Sequence, residues 1–349
     1  MSKQVAIDAR GVWMVFGDRA PEALAAIHAE GLGKAEVLSK YGCVMGVADA
    51  SFEIAEGELF CIMGLSGSGK STLVRHVNRL LEPTAGEIRI DGRDVMRLND
   101  AELRDLRNYK VAMVFQNFGL MPHRTVRDNV AMPLEIRGAG KARRWAEADR
   151  VLTLVGLSGW EDKYAHELSG GMQQRVGLAR AIASDPDILL MDEPFSALDP
   201  LIRKQLQDQF MALSKELKKT TMFITHDLDE AIRIGNRIAI MKDGRIVQVG
   251  TPEEIILNPA DDYVSDFVAG TSKLNMIFAH SVMTPVDRFT AENGALPADA
   301  KEAAPDMDLS GLMDLCMDGS GIVKVVADDR TVGVINRSGL IRAIKENQG

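Results

Sequence analysis

Cysteine is scarce in this chain, with three residues, Cys43, Cys61 and Cys316, among 349. Their spacing matches no metal-ligand pattern and their odd number builds no disulfide framework. Reduced thiols in a reducing compartment are expected, buried as small hydrophobes. Long apolar runs are missing too. The aliphatic stretch 188–191 is typical of the longest ones, far short of the roughly 20 residues a spanning helix needs. A bilayer crossing is therefore excluded. The first ten residues hold no apolar segment leading to a small-residue cleavage site, so export is not expected and the chain is placed in the cytoplasm. Positive charge is also in deficit: the net charge is −9, which disfavours a broad nucleic-acid footprint.

What remains is globular composition, 46% hydrophobic and 26% charged. The length suits one large domain and a small one. Residues 59–63 form a short apolar run that ends in glycines, and 71–81 follow with apolar residues at helical spacing. Residues 88–90 alternate and stop at Asp91-Gly92, a hairpin signal, while 188–191 and 222–225 read as buried parallel strands. Strands alternating with helices predict an α/β core. Its end is a hairpin, 237–241 and 245–249, and a helix starting at Thr251-Pro252-Glu253-Glu254. Residues 20–42 read as an inserted pair of short helices broken by Gly31 and Gly33, and 285–308 as a partly flexible connection.

Chemistry concentrates in three segments. Gly64-Leu65-Ser66-Gly67-Ser68-Gly69-Lys70-Ser71 has P-loop spacing: its glycines let backbone N–H groups face a phosphate, and a helix start adds its positive end. Lys70 would reach the β- and γ-phosphates, Ser71 would ligate Mg²⁺, and Thr72 would bond the α-phosphate. The strand 188–191 ends in Asp192 and Glu193. Acids beside a buried strand end are costly unless a cation or a proton transfer uses them. Asp192 is assigned to the Mg²⁺ shell and Glu193 to the general base; acids at a solvated strand end are the bland alternative. Leu168-Ser169-Gly170-Gly171-Met172-Gln173-Gln174-Arg175 opens a helix with serine and glycines, a second anion-binding start that one nucleotide does not need.

Together these segments resemble the ABC ATPases. The resemblance spans about residues 5–268 and implies a P-loop NTPase cassette: a RecA-like core, an antiparallel β subdomain and a helical subdomain over about 117–180. It implies ATP and Mg²⁺ as ligands and a head-to-tail pair of subunits. In that pair the signature residues Ser169, Gly170, Gly171 and Gln173 of one copy close over the γ-phosphate on the other. Gln116 matches the Q-loop glutamine, a Mg²⁺ contact as well, Asp199 lies in the matching D-loop 196–199, and His226 matches the switch histidine. An aromatic ring should stack on adenine, either Phe16 or, because the insertion intervenes, Tyr41.

Without fused membrane helices, coiled coil or second cassette, the chain resembles an importer subunit, with a soluble ATPase acting on DNA or ribosomes as the alternative. The insertion, Leu65 within the P-loop, and residues 46–52, 62–72, 78–84 and 117–126 resemble the glycine betaine/proline importers of quaternary amines. That likeness implies glycine betaine, proline betaine, choline, carnitine or trimethylamine N-oxide as cargo. It also implies an integral membrane permease gripped near Phe118, Leu120 and Met121, a substrate-binding protein acting through the permease, no nucleic-acid partner, and a peripheral place on the cytoplasmic face of the inner membrane. The expected boundary divides a cassette, 1–270, from a linker and small α+β module, 271–349, resembling one cystathionine-β-synthase (CBS) motif. Such motifs pair, so the tails of two subunits are expected to pair as a regulatory or dimerising element.

Overall fold

The computed structural model describes residues 4–116, 118–196, 198–269, 278–297, 299–317, 320–327 and 330–346. The expectations resting on Ala197 of the D-loop, Asn117 and the linker residues 271–277 lie outside these. Two compact units divide the chain, 1–251 and 252–349.

In the first unit, β1 (Val5–Phe16), β2 (Val44–Ala55), β4 (Ala85–Ile90) and β5 (Arg93–Asp94) form an antiparallel sheet in the order β2-β1-β4-β5. The β4–β5 turn is Asp91-Gly92 with φ of 48° and 77°, as tight hairpins require. A second sheet runs β10-β9-β3-β8-β7-β6, with β3 (Leu59–Met63), β6 (Val111–Val114), β7 (Ile188–Asp192), β8 (Thr220–Thr225), β9 (Arg237–Lys242) and β10 (Arg245–Gly250). All but β10 run parallel. Every residue of β3, β7 and β8 is buried, as expected of parallel strands covered on both faces. One core joins the two sheets to α3 (Lys70–Val77), with the Phe52 and Phe60 rings stacked 5.6 Å apart.

The inserted segment is two helices, α1 (Ala20–Glu30) and α2 (Lys34–Tyr41), as the glycines predict. Gly31 ends α1 at φ 69°, the left-handed conformation a glycine adopts without strain, and Gly33 precedes α2. Both pack with Trp13, Val15, Cys43 and Met45 in a core of their own. The rest of the unit is helical: α4 (Asp100–Asp105), α5 (Val126–Ile136), α6 (Lys141–Leu154), α7 (Gly170–Ala183), α8 (Pro200–Leu217) and α9 (Leu228–Ile234), of which α5, α6 and α7 pack together.

The second unit begins at α10 (Pro252–Leu257) and α11 (Asp262–Ala269), earlier than the boundary near residue 270 expected from sequence. Leu257 packs on this unit's core, and Glu253 Oε2 lies 3.0 Å from His280 Nε2, which ties α10 to it. Its sheet runs β11-β14-β13-β12, with β11 (Thr284–Pro285), β12 (Lys301–Ala303), β13 (Ile322–Ala327) and β14 (Arg330–Asn336). Helices α12 (Ala279–Val282), α13 (Val286–Asn293), α14 (Leu309–Met317) and α15 (Arg337–Glu346) accompany it. The reading of 285–308 as a partly flexible connection is thereby corrected: it holds α13 and β12. The stretch is poor in aliphatics, but Phe289, Ala300 and Ala303 are all buried, and β12 pairs in parallel with β13.

Candidate functional site

The predicted residues converge because four adjacent parallel strands, β3, β8, β7 and β6, end on one edge. The P-loop leaves β3, His226 follows β8, Asp192 and Glu193 close β7, and Gln116 lies just past β6. Open α/β sheets bind ligands at this carboxyl edge.

The P-loop's shape is forced sterically. A Cβ on Gly64, at φ 152°, would stand 2.2 Å from the Met241 carbonyl oxygen; one on Gly69, at φ 100°, would stand 2.2 Å from that of Gly46. Lys70 is buried, and its ammonium donates to the carbonyls of Gly64 at 2.8 Å and Leu65 at 3.0 Å. Burial lowers its pKa, while Glu193 and Asp192 pull the other way. Ser68 Oγ is buried with no hydrogen-bond partner among the described residues, an orphan that a phosphate-filled loop would satisfy.

Ser71 Oγ donates to Asp192 Oδ1 at 2.6 Å, and Arg75 Nη2 lies 3.3 Å from Asp192 Oδ2. Asp192 is fully buried. Beside it, Glu193 Oε2 accepts from Gln116 Nε2 at 3.4 Å and lies 3.2 Å from His226 Nδ1. The Glu193 backbone sits at φ 46°, which for a residue other than glycine costs about 1–3 kcal/mol and is tolerated where function demands it. The hydroxyl, carboxylate and amide oxygens of Ser71, Asp192 and Gln116 are the hard donors Mg²⁺ prefers. They fit that ion, and Glu193, held between two polar partners, is placed to accept a proton from a water beside them.

A cavity of about 970 Å³ opens over this edge. Residues 65–67 and 69–72 line it, with Gln116, Glu193, His226 and Phe16. Gly64, Ser68 and Asp192 are buried and do not line it. Phe16 and not Tyr41 reaches the cavity: Tyr41 packs on the insertion's core, with the Arg19 guanidinium 5.0 Å over its ring. Gly46 makes room for Phe16, since a Cβ there would meet the ring at 2.6 Å.

The signature residues stand apart. Ser169 caps α7, its Oγ accepting from Met172 N at 3.4 Å, and Gln173 Nε2 donates to the carbonyls of Ala165 and Leu168. Gly170 and Gly171 form the first turn. Asp199 caps α8 by accepting from Ile202 N. None of these five lines the cavity of its own chain.

The family model for ABC transporters matches residues 47–196. The chain is 47% identical over 334 residues to the glycine betaine/carnitine transport ATP-binding protein of Listeria monocytogenes, a match covering 95% of this chain and 81% of that one. The chain belongs to the ATP-binding subunits of ABC transporters. It is also 45% identical to the trimethylamine N-oxide transport system ATP-binding protein of Ruegeria pomeroyi, with 96% of each chain covered. A solved ABC cassette, dimeric and bound to ADP and Pi after hydrolysis, is similar at 32% identity and a TM-score of 0.60; the match covers 70% of this chain and 98% of that one. This ABC subunit is thus an ATPase of the P-loop class, and the reading as a DNA- or ribosome-directed ATPase is set aside.

Two arginines of the cassette escaped the motif reading. Arg75 lies one helical turn beyond Ser71, a spacing that puts both on the face toward Asp192. Arg180, buried within α7, donates to the Phe118 carbonyl at 2.8 Å and to that of Gly119 at 2.5 Å, joining the signature helix to the segment after Gln116. An arginine in an otherwise small and aliphatic helix run was its one available signal.

Proposed function

We propose that this subunit energises the import of a quaternary amine or a related osmolyte: glycine betaine, proline betaine, choline, carnitine or trimethylamine N-oxide. The observation that carries the mechanism is the shared Glu193 carboxylate, bracketed by Gln116 and His226 beside the Ser71–Asp192 pair. The P-loop amides and Lys70 bind the phosphates, and Phe16 stacks on adenine. Ser71, Asp192 and Gln116 would hold Mg²⁺, which when bound would supply charge neutralisation for the transferred phosphoryl group. Glu193 takes the proton of the attacking water, and His226 orients that water and bonds the γ-phosphate.

Ser169, Gly170, Gly171 and Gln173 complete the site of a second copy, with Asp199 at the junction, so two ATP molecules close a head-to-tail pair and hydrolysis reopens it. Such a cycle works only through tighter ATP binding by the closed form.

Motion passes to an integral membrane permease, loaded by a substrate-binding protein. A groove of about 390 Å³ supports this docking: Leu80, Phe115, Met121 and Ile136 line it and remain more than a third exposed, while Phe118 and Leu120 of the expected grip are half-buried and lie outside its lining. Among the described residues no helix is long and apolar enough to cross a membrane; the permease would hold the subunit peripherally at the cytoplasmic face of the inner membrane. We assign residues 1–251 to the cassette, including the insertion 20–42 and the helical subdomain, and the second unit to a regulatory module of CBS type that pairs with its counterpart.

The test is ATP hydrolysis by the subunit assembled with its permease in lipid, across binding-protein-loaded amines and trimethylamine N-oxide. Stimulation by one ligand, lost in Glu193→Gln while ATP still binds, supports the reading. Hydrolysis by Glu193→Gln at the wild-type rate would remove Glu193 as the base.

A further inference from the structure

The P-loop cavity has a wall that the nucleotide motifs do not account for. Lys34, Ala35 and Leu38 of α2 line it. Lys34 and Leu38 are four apart and so share one helix face. Val37 points the other way, fully buried in the insertion's own core with Trp13, Cys43 and Met45. The helix is short but fixed at both ends. The Gly33 N–H donates to Glu36 Oε2 at 2.8 Å, the Gly42 N–H donates to the Leu38 carbonyl at 2.9 Å, and Lys40 Nζ lies 3.1 Å from Glu30 Oε2 of α1.

Despite that anchoring, Leu38 stays 55% exposed, next to the cavity's other uncovered apolar groups, Leu65 at 59%, Val44 at 53% and Phe16 at 39%. Apolar side chains held rigidly around one polar-floored cavity suit a flat heteroaromatic ring. Lys34 adds an ammonium to the same lining, steadied 3.4 Å from Asp243 Oδ1. We propose that α2 is a second grip on the nucleotide, Leu38 packing on the purine that Phe16 stacks against and Lys34 drawing in the phosphates. The inserted helices are then part of the nucleotide site. This rests on the ATPase reading of the cavity.

Equilibrium binding of ATP and of inorganic tripolyphosphate to the full-length chain separates the contributions. Leu38→Ala should weaken ATP about five- to tenfold, the loss of one leucine contact, and leave tripolyphosphate unchanged. Lys34→Met should weaken both ligands. In steady state Leu38→Ala should raise KM with kcat kept, because the contact is made equally in ground and transition states. Its Tm without nucleotide should match the wild type, since Leu38 is largely exposed. Wild-type ATP affinity in Leu38→Ala, or an equal loss for both ligands, would overturn the purine contact. Unchanged tripolyphosphate affinity in Lys34→Met would remove the share of Lys34. A folded wild type that binds tripolyphosphate but not ATP would overturn the ATPase reading and the α2 grip with it.

Discussion

Gly64 and Gly170 both belong to glycine-rich motifs, but they are glycines for different reasons. Gly64 has no room for a methyl group, with the Met241 carbonyl 2.2 Å from the Cβ position and φ at 152°. A Cβ on Gly170 meets nothing within 4 Å, and its backbone is helical. One is dictated by its own chain. For the other, the chain supplies no steric reason, and the account places that reason on a second copy, whose bound phosphate would approach α7. The P-loop half of the machinery takes its shape within one chain, around the buried Ser68, Lys70 and Asp192, while Ser169 and Gly170 of the signature half are exposed, open to a partner.

Substitutions can break that contrast. The largest effect is expected of Gly64→Ala, which should abolish ATP binding and also lower stability by about 1–3 kcal/mol through the forbidden backbone alone, measured by nucleotide titration and thermal unfolding. Gly170→Asp should keep Tm and ATP affinity in the isolated subunit and lose hydrolysis, since its carboxylate would face a phosphate only in the pair. Loss of ATP binding in Gly170→Asp would place the signature in its own chain's site. The smallest effect concerns His76, on the P-loop helix. It is fully buried, its Nδ1 lies 2.7 Å from the Leu81 carbonyl oxygen, and burial lowers its pKa from 6.5. Its neutral form is favoured in the native state, so its contribution is present above pH 6.5 and is lost as pH falls below, where the unfolded chain takes up the proton first. His76→Asn should flatten the acid slope of stability; an unchanged slope would assign it elsewhere.

Sequence signals are clearest where local rules govern. The residues 59–63, 188–191 and 222–224 are unbroken apolar runs, and β3, β7 and β8 fall on them. Gly31 and Gly33 mark the ends of α1 and α2 by backbone freedom alone. β1, twelve residues long, went unread because its pairing shifts register at several points, which breaks the alternation that marks a strand, whereas β2 does alternate over 48–54 and that signal was missed. Chain-distant relations were equally hidden. The lateral order of the strands depends on the crossovers between them, and the choice of Phe16 over Tyr41 and the place of Leu38 beside the P-loop depend on how the insertion folds back; no spacing encodes either. Arg180 bonds carbonyls about sixty residues away, and side-chain-to-backbone bonds leave no trace in a motif.

In the proposed mechanism each ATP is hydrolysed by the P-loop of one copy with the signature of the other. Mixing Lys70→Ala with Gly170→Asp tests it most directly, because each alone should be inactive in the assembled transporter. The mixed pair carries one site with an intact P-loop from the Gly170→Asp copy and an intact signature from the Lys70→Ala copy. Hydrolysis should return on mixing. Continued silence, with mixed pairs shown to form, would contradict it.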